Sequence, residues 1–353
     1  MKLSVVWDSL YYQPVTHNPD GIHIGNLHLG HDDSIDCGPS IGILRAADLS
    51  AGTLRYQAFT AGSCHPQLAA LAFQITRRPS ALNTYFLLTR IFDKSGIHDF
   101  YQLGGKIIQH PHFECHIMSE GRADFSREFP DAAYLVAGHI AELFYFRQDI
   151  LEHLLNQPLR IWLYATQRAF AADGGAAGGN FSPQKGGIQL VLSRLYEGFN
   201  APLPGVAPFL HEFGHLLDYF GGSKSVGFLP GLRAVDGVTY SPEAHQLFLK
   251  GKRLELERYL RLYNGTDRSG EILPIGHPYV FQNNSEFIAG YLEMFFRNPH
   301  YFAAQNPDLY QGFALLFRQD PRQYRAEDFP FYIQQNRDFY TNGQRLSKPG
   351  ISV

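Results

Sequence analysis

The sequence predicts an α+β fold: a β-rich N-terminal region over residues 1–130, then over residues 131–353 a helical domain built around a small sheet. Three observations predict it. Period-two alternation runs through Gly21-Ile22-His23-Ile24-Gly25-Asn26-Leu27-His28-Leu29, the pattern of a half-buried strand. From Asp131 onward apolar residues recur at helical spacing. Between the helical stretches lie two short apolar runs, Arg160–Ala165 and Ile188–Ser193, of strand length.

In the N-terminal region, Tyr85 to Phe92, a turn at Asp93-Lys94-Ser95-Gly96, and Ile97 to Leu103 read as strand, turn, strand; Ile107 to Ile117 reads as a further strand. Past Pro130, the residues Tyr134, Leu135, Ile140, Leu143, Phe144, Ile150, Leu154 and Leu155 predict one helix over 131–156, which Pro158 ends. Asp173 to Gly187 holds six glycines in fifteen positions and reads as a flexible loop. It lacks the lysine-hydroxyl pair of a phosphate-binding loop. Further helices are expected at 207–220, 241–262, 284–297 and 307–319, and the tail after Phe331 is polar and weakly patterned.

Composition narrows the function. The 353 residues are 44% hydrophobic and 18% charged, enough for a sizeable core, and the formal net charge of -3 offers no basic excess for nucleic acid. Cys37, Cys64 and Cys115 are odd in number and far apart, so no disulfide framework is expected. An acid at position 8 comes too soon for a signal-peptide core, and no apolar run is long enough to span a membrane. The expectation is a cytoplasmic protein; leaderless export would leave the same sequence features.

The chemistry concentrates at His211-Glu212-Phe213-Gly214-His215. Histidines four apart on a helix share one face, a turn apart, and can reach one ion. Glu212 is offset beside them, where a carboxylate can take a proton from a water. Pro208 suits the first turn and Gly221-Gly222 the stop. Phe209, Phe213, Leu216 and Phe220, widened by Leu210 and Leu217, form the opposite, buried stripe.

A metal bound by two imidazoles needs a third protein ligand. The long metzincin pattern requires Gly and His where this chain has Asp218 and Gly221, which leaves a carboxylate from a later helix. Glu255 and Glu257 sit in Lys252–Arg258, a charged run read as a solvated helix face. Glu286 opens a helix whose Phe287, Ile288, Tyr291, Leu292, Phe295 and Phe296 cover most of the circumference, with Glu286, Gly290, Glu293 and Arg297 on one narrow stripe. A buried acid requires a partner. A simple N-terminal role for Glu286, where carboxylates are favoured, stays open on these grounds.

Three stretches together resemble the Mlc titration factor A family of zinc peptidases and, through it, the catalytic domain of anthrax lethal factor. They are Gly187–Ser193, Leu210–Asp218, and the span from Tyr279 through Asn283-Asn284-Ser285-Glu286-Phe287 and Glu293-Met294-Phe295-Phe296 to Asn298-Pro299 and Phe317-Arg318-Gln319-Asp320-Pro321. The resemblance covers roughly residues 130–325. It implies a zincin-like domain of the gluzincin type, with the motif helix packed on a small sheet. It implies one Zn2+ per chain held by His211, His215 and Glu286, with Glu212 as general base. It also implies an oxyanion role for the tyrosine seven residues before the ligand glutamate, Tyr279 here. Lethal-factor-like sites carry an acid four residues after that glutamate, where this chain has Gly290; Asp218 or Glu293 is then the candidate carboxylate behind a ligand imidazole.

The expected substrate is a peptide or protein, bound as an added strand along the edge of the second strand, 188–193. Two rival readings remain at this stage: a regulatory module with a vestigial zinc site, binding a protein partner, and a toxin-like effector peptidase. His110-Pro111-His112-Phe113-Glu114-Cys115-His116 is dense in donors but reads as a surface strand, and His277 and His300 as polar surface residues.

Overall fold

The structure, a computed structural model, describes residues 2–4, 14–24, 27–36, 43–45, 52–53, 94–118, 132–175, 178–197, 207–219, 242–266, 272–323, 328–342 and 344–353. The expected strand over 85–92 and the Gly221-Gly222 helix stop lie outside them. The chain divides into two compact units, one of residues 1–109 and 126–142, the other of residues 110–125 and 143–353. Among the described residues, no helix is long and apolar enough to cross a membrane.

The first unit carries two small sheets. β1 (Lys2–Ser4) pairs parallel with β5 (Ser34–Asp36), which pairs antiparallel with β6 (Ile43–Arg45). β2 (Pro14–Asn18), β3 (Gly21–Ile24), β4 (Leu27–Leu29) and β7 (Gly52–Thr53) form an antiparallel sheet in the order β4-β3-β2-β7. The alternation seen in the sequence is met here: Ile22 and Leu29, opposite one another, are fully buried. The expected strand at Ile97–Leu103 is instead part of helix α1 (Lys94–Gln109). Leu103 and Ile107 stand one helical turn apart and are both buried, so the 3.6-residue period wins over the strand-like run of Ile97, Phe100 and Tyr101.

In the second unit a four-stranded sheet has the order β10-β11-β9-β8. β8 (Phe113–Met118), β9 (Leu159–Tyr164) and β11 (Gly187–Val191) run parallel, and β10 (Gly179–Ser182) is antiparallel to β11. Three expectations fail here. The expected strand from Ile107 begins only at Phe113, and Cys115 and His116 lie within it. The Gly-rich stretch read as a loop contains a hairpin: Gly179 to Ser182 pair with Leu190 to Gly187 across a Pro183–Gly186 turn. β11, expected to offer its edge, is enclosed by β9 and β10 and buried along its whole length. The edge belongs to β10.

The helix expected over 131–156 is two, α2 (Ala132–Phe144) and α3 (Gln148–Leu154). The break serves Arg147, almost wholly buried, whose guanidinium donates to Asp149 and, at 2.6 Å, to the Leu316 carbonyl. α4 (Gln167–Ala172) and α5 (Leu192–Glu197) follow β9 and β11; α5 ends the second strand at Val191 rather than Ser193. Next come α6 (Pro208–Tyr219), α7 (Pro242–Tyr263), α8 (Asn284–Arg297), α9 (Pro299–Gln305) and α10 (Pro307–Phe317). α8 is the hub of the core: every residue from Phe287 to Arg297 is buried, and Phe295 stacks with Phe313 and Phe317.

Glu255 corrects the reading of α7 as a solvated face. It is fully buried and accepts from Arg258, Asn306 and the Ile275 backbone, and from the Tyr291 hydroxyl. Its neighbours in sequence are charged, but α7 turns it inward. The tail is also more ordered than its polarity implied. α11 (Pro330–Thr341) docks through Tyr340 and Asn336 on the carbonyls of Gly276 and Ile275. Beyond it, Gly350 donates to Phe281 at 2.9 Å and Ser352 to the Asn284 side chain at 3.0 Å, while Ser347 accepts from Tyr259.

Candidate metal centre

α6 brings His211 and His215 onto one face, with ring centroids 4.9 Å apart. Phe209, Leu210, Phe213, Leu216 and Leu217 are buried on the other sides, so the helix cannot roll without exposing them. α8 crosses α6 closely: a β-carbon on Gly214 would stand 2.8 Å from the Ala289 Cα. The small pair Gly214 and Ala289 thereby brings the first turn of α8 up to the two histidines.

That turn presents Glu286. Its backbone N–H is capped by the Asn283 side chain at 2.9 Å, so the capping task falls to Asn283 and the Glu286 carboxylate turns elsewhere. One oxygen, Oε2, lies 3.1 Å from His211 Nε2 and 3.5 Å from His215 Nε2. The other, Oε1, accepts from the Tyr279 hydroxyl at 3.0 Å. Tyr279 sits in a 3-10 turn, Pro278–Phe281, whose first N–H is held by the His277 ring at 3.1 Å.

The outward ring nitrogens are held too. His215 Nδ1 meets Ser285 Oγ at 2.7 Å. His211 Nδ1 lies 3.7 Å from Glu293 Oε2, and the other oxygen of Glu293 accepts from the Ala207 backbone at 2.6 Å, which ties the start of α6 to α8. Glu293 falls two turns after Glu286 and so lies on the same stripe. At Gly290, one turn after Glu286, a β-carbon would meet Val280 at 2.4 Å, so no acid fits there.

Glu212 leaves the helix on the β10 side. Gly179 makes the room: its β-carbon would stand 2.9 Å from Glu212 Oε1. Phe181, two residues on, packs its ring at a tilt against Tyr219, centroids 5.5 Å apart, and its backbone hydrogen-bonds the Glu212 carboxylate. Glu212 is buried, and burial raises its pKa against the pull of His211 and His215. A cleft of about 520 Å³ opens over these groups, lined also by Asn180, Arg194 and Tyr332.

The electrostatics call for a cation. His211 is pushed up to about 10: burial alone would lower it, but the Glu286 and Glu293 carboxylates outweigh burial. Burial would raise Glu286, yet both histidines hold it well below the usual carboxylate range. Two imidazole nitrogens and a carboxylate oxygen, all within 4.8 Å of one another, are the donor set of a divalent metal. The Tyr279 hydroxyl is pushed up to about 12 by burial and then by Glu286, so it stays a donor.

Of the residues the sequence singled out, His211, Glu212, His215, Tyr279, Glu286 and Glu293 meet at this cleft. Asp218 does not line it; it is fully buried, and its charge acts on Lys252 of α7. Sequence reasoning missed Ser285, although it adjoins Glu286, and missed β10, whose glycines masked a strand. His112 is taken up by the Leu155 carbonyl at 2.6 Å.

Residues 167–318 match the model of a family described as glucose-regulated metallo-peptidase M90, the Mlc titration factor family; the matched span contains every residue of the cleft named above except Tyr332. No curated protein matches the chain.

Proposed function

From a chain whose residues 167–318 match the model of the M90 metallopeptidase family, we propose a zinc-dependent peptidase of the gluzincin type, with a zincin-like arrangement of α6 against β10 and β11. The observation that carries the reading is the convergence of His211, His215 and Glu286 on one point beside a buried carboxylate, Glu212. His211 Nε2, His215 Nε2 and Glu286 would hold the ion. Zinc there supplies Lewis-acid chemistry, polarising a carbonyl and lowering the pKa of a water to about 7.

The chain's own groups do the rest. Ser285 accepts from the Nδ1–H of His215, and the Glu293 carboxylate, 3.7 Å from His211 Nδ1, favours the proton there by charge; these are the tautomers that leave both Nε2 lone pairs free. Glu212 takes the proton of the attacking water and passes it to the leaving amine. Its raised pKa suits a group that must accept a proton and then give it up. Tyr279 donates to the oxyanion of the tetrahedral intermediate. β10, the edge strand of this sheet among the described residues, runs along the cleft and would offer an extended peptide its backbone hydrogen bonds.

Elemental analysis of dialysed wild type, His211→Ala and Glu286→Ala tests the ligand set. One zinc per wild-type chain, lost in both folded variants, supports it; a wild type that takes up no zinc overturns the reading.

A further inference from the structure

We propose that Asp20, His23 and His28 form a second metal site in the N-terminal unit, one that takes a borderline first-row divalent cation, zinc foremost. It rests on residues outside the family match and independent of the cleft above. His23 and His28 are direct cross-strand partners in the β3–β4 ladder. Opposite residues on an antiparallel pair share a face. Since their neighbours Ile22 and Leu29 point into the core, both histidines point away from it. Their rings stack with centroids 4.5 Å apart.

Asp20 closes the triangle from the turn before β3. Its carboxylate oxygens lie 3.9 Å from His23 Nε2 and 3.7 Å from His28 Nε2, and the three donors fit within 4.8 Å of one another. Zinc bonds of 2.0–2.2 Å at tetrahedral angles place ligand atoms roughly 3.3–3.6 Å apart. The two Asp20–histidine spacings are wider by only a few tenths of an ångström, and the turn carrying Asp20 is exposed. Direct pairing does not account for this geometry. Among the described residues His23 Nε2 is buried with no hydrogen-bond partner, the Asp20 carboxylate oxygen at 3.9 Å lying beyond hydrogen-bond reach. An imidazole nitrogen aimed at a carboxylate from that distance leaves room for a cation.

Gly21 is part of the construction. Its φ is +148°, and a β-carbon there would stand 2.8 Å from His28 Nε2 and 2.2 Å from the Leu29 carbonyl. Only glycine lets the His28 ring lie over the turn beside Asp20. His28 Nε2 now lies 3.2 Å from the Asp20 carbonyl; metal binding requires the tautomer with its proton on Nδ1. Three ligands leave the ion a position for water, and two imidazoles with one carboxylate suit zinc, cobalt, nickel or copper(II) over magnesium or calcium.

The test uses full-length His211→Ala/His215→Ala protein, which silences the cleft, titrated with zinc by calorimetry after chelator dialysis. The expected result is one zinc per chain, with affinity falling more than about tenfold on adding either His28→Ala or Asp20→Asn. Circular dichroism of each sample checks the fold; if His28→Ala fails to fold, Asp20→Asn in the exposed turn decides. The proposal is overturned if the double variant binds no zinc, or binds it equally well after Asp20→Asn. Neither outcome bears on whether wild type carries zinc at Glu286, which the His211→Ala and Glu286→Ala measurements read separately.

Discussion

Gly214 faces Ala289 across the crossing of α6 and α8, with no space for a side chain between the two backbones. An alanine at 214 would ordinarily favour a helix by about 1 kcal/mol. Here its β-carbon must push α8 and Glu286 away from the histidines. Gly214→Ala is therefore expected to reverse the propensity gain, destabilising by about 1–3 kcal/mol in denaturant unfolding, and to weaken zinc in chelator competition. A stabilised variant with unchanged zinc affinity would contradict the close crossing.

Glu212→Gln keeps the shape and removes the carboxylate proposed as the base. The expected outcome is a fall in peptide cleavage of about 10²–10⁴-fold with one zinc still bound. A variant that cleaves as wild type would move the base elsewhere.

Tyr279→Phe removes one donor and leaves the ring. If the hydroxyl serves the oxyanion, kcat drops by about 10²–10³-fold while KM and zinc content hold. An equal loss carried by KM alone would make Tyr279 a binding residue instead.

Ser285→Ala and Glu293→Gln each free one outward imidazole nitrogen. Zinc affinity should fall about 10–100-fold in each, read by competition with a chelating dye. The predicted contrast is Asp218→Asn, whose charge faces Lys252; its zinc affinity should stay near wild type.

Lys252 gives the pH signature. Burial pulls its pKa down to about 8 although the Asp218 charge opposes, and Asn284 accepts from it at 2.8 Å. An unfolded lysine holds its proton to about pH 10.4. Between these values the unfolded chain binds more protons than the folded one, so stability rises with pH. Unfolding at about pH 7 and pH 9.5 should show wild type gaining roughly 1–2 kcal/mol relative to Lys252→Met. A parallel pair of curves would mean that the native lysine titrates normally.

The motif helix was legible because several signals agreed there: histidine spacing, an apolar stripe and a proline at the first turn. α8 was legible for the same reason, and its bounds match the expectation. β10 was not. Its glycine, Gly179, makes room for the close approach of Glu212 and of Leu190 on the neighbouring strand, and among the glycines around it looks in the sequence like part of a loop. Glu255 was misread because a charged run says nothing about which residue faces Tyr291 and Asn306. Ser285 carries no pattern of its own; its role exists only once His215 stands opposite.

The strap formed by Ser347, Gly350 and Ser352 braces Tyr259, the turn bearing Tyr279 and the first turn of α8. Synthesis runs from the N-terminus, so this brace leaves the ribosome only after α9, α10 and α11. A nascent chain can thus expose His211, Glu212 and His215 well before the carboxylate and hydroxyl opposite them are locked in place.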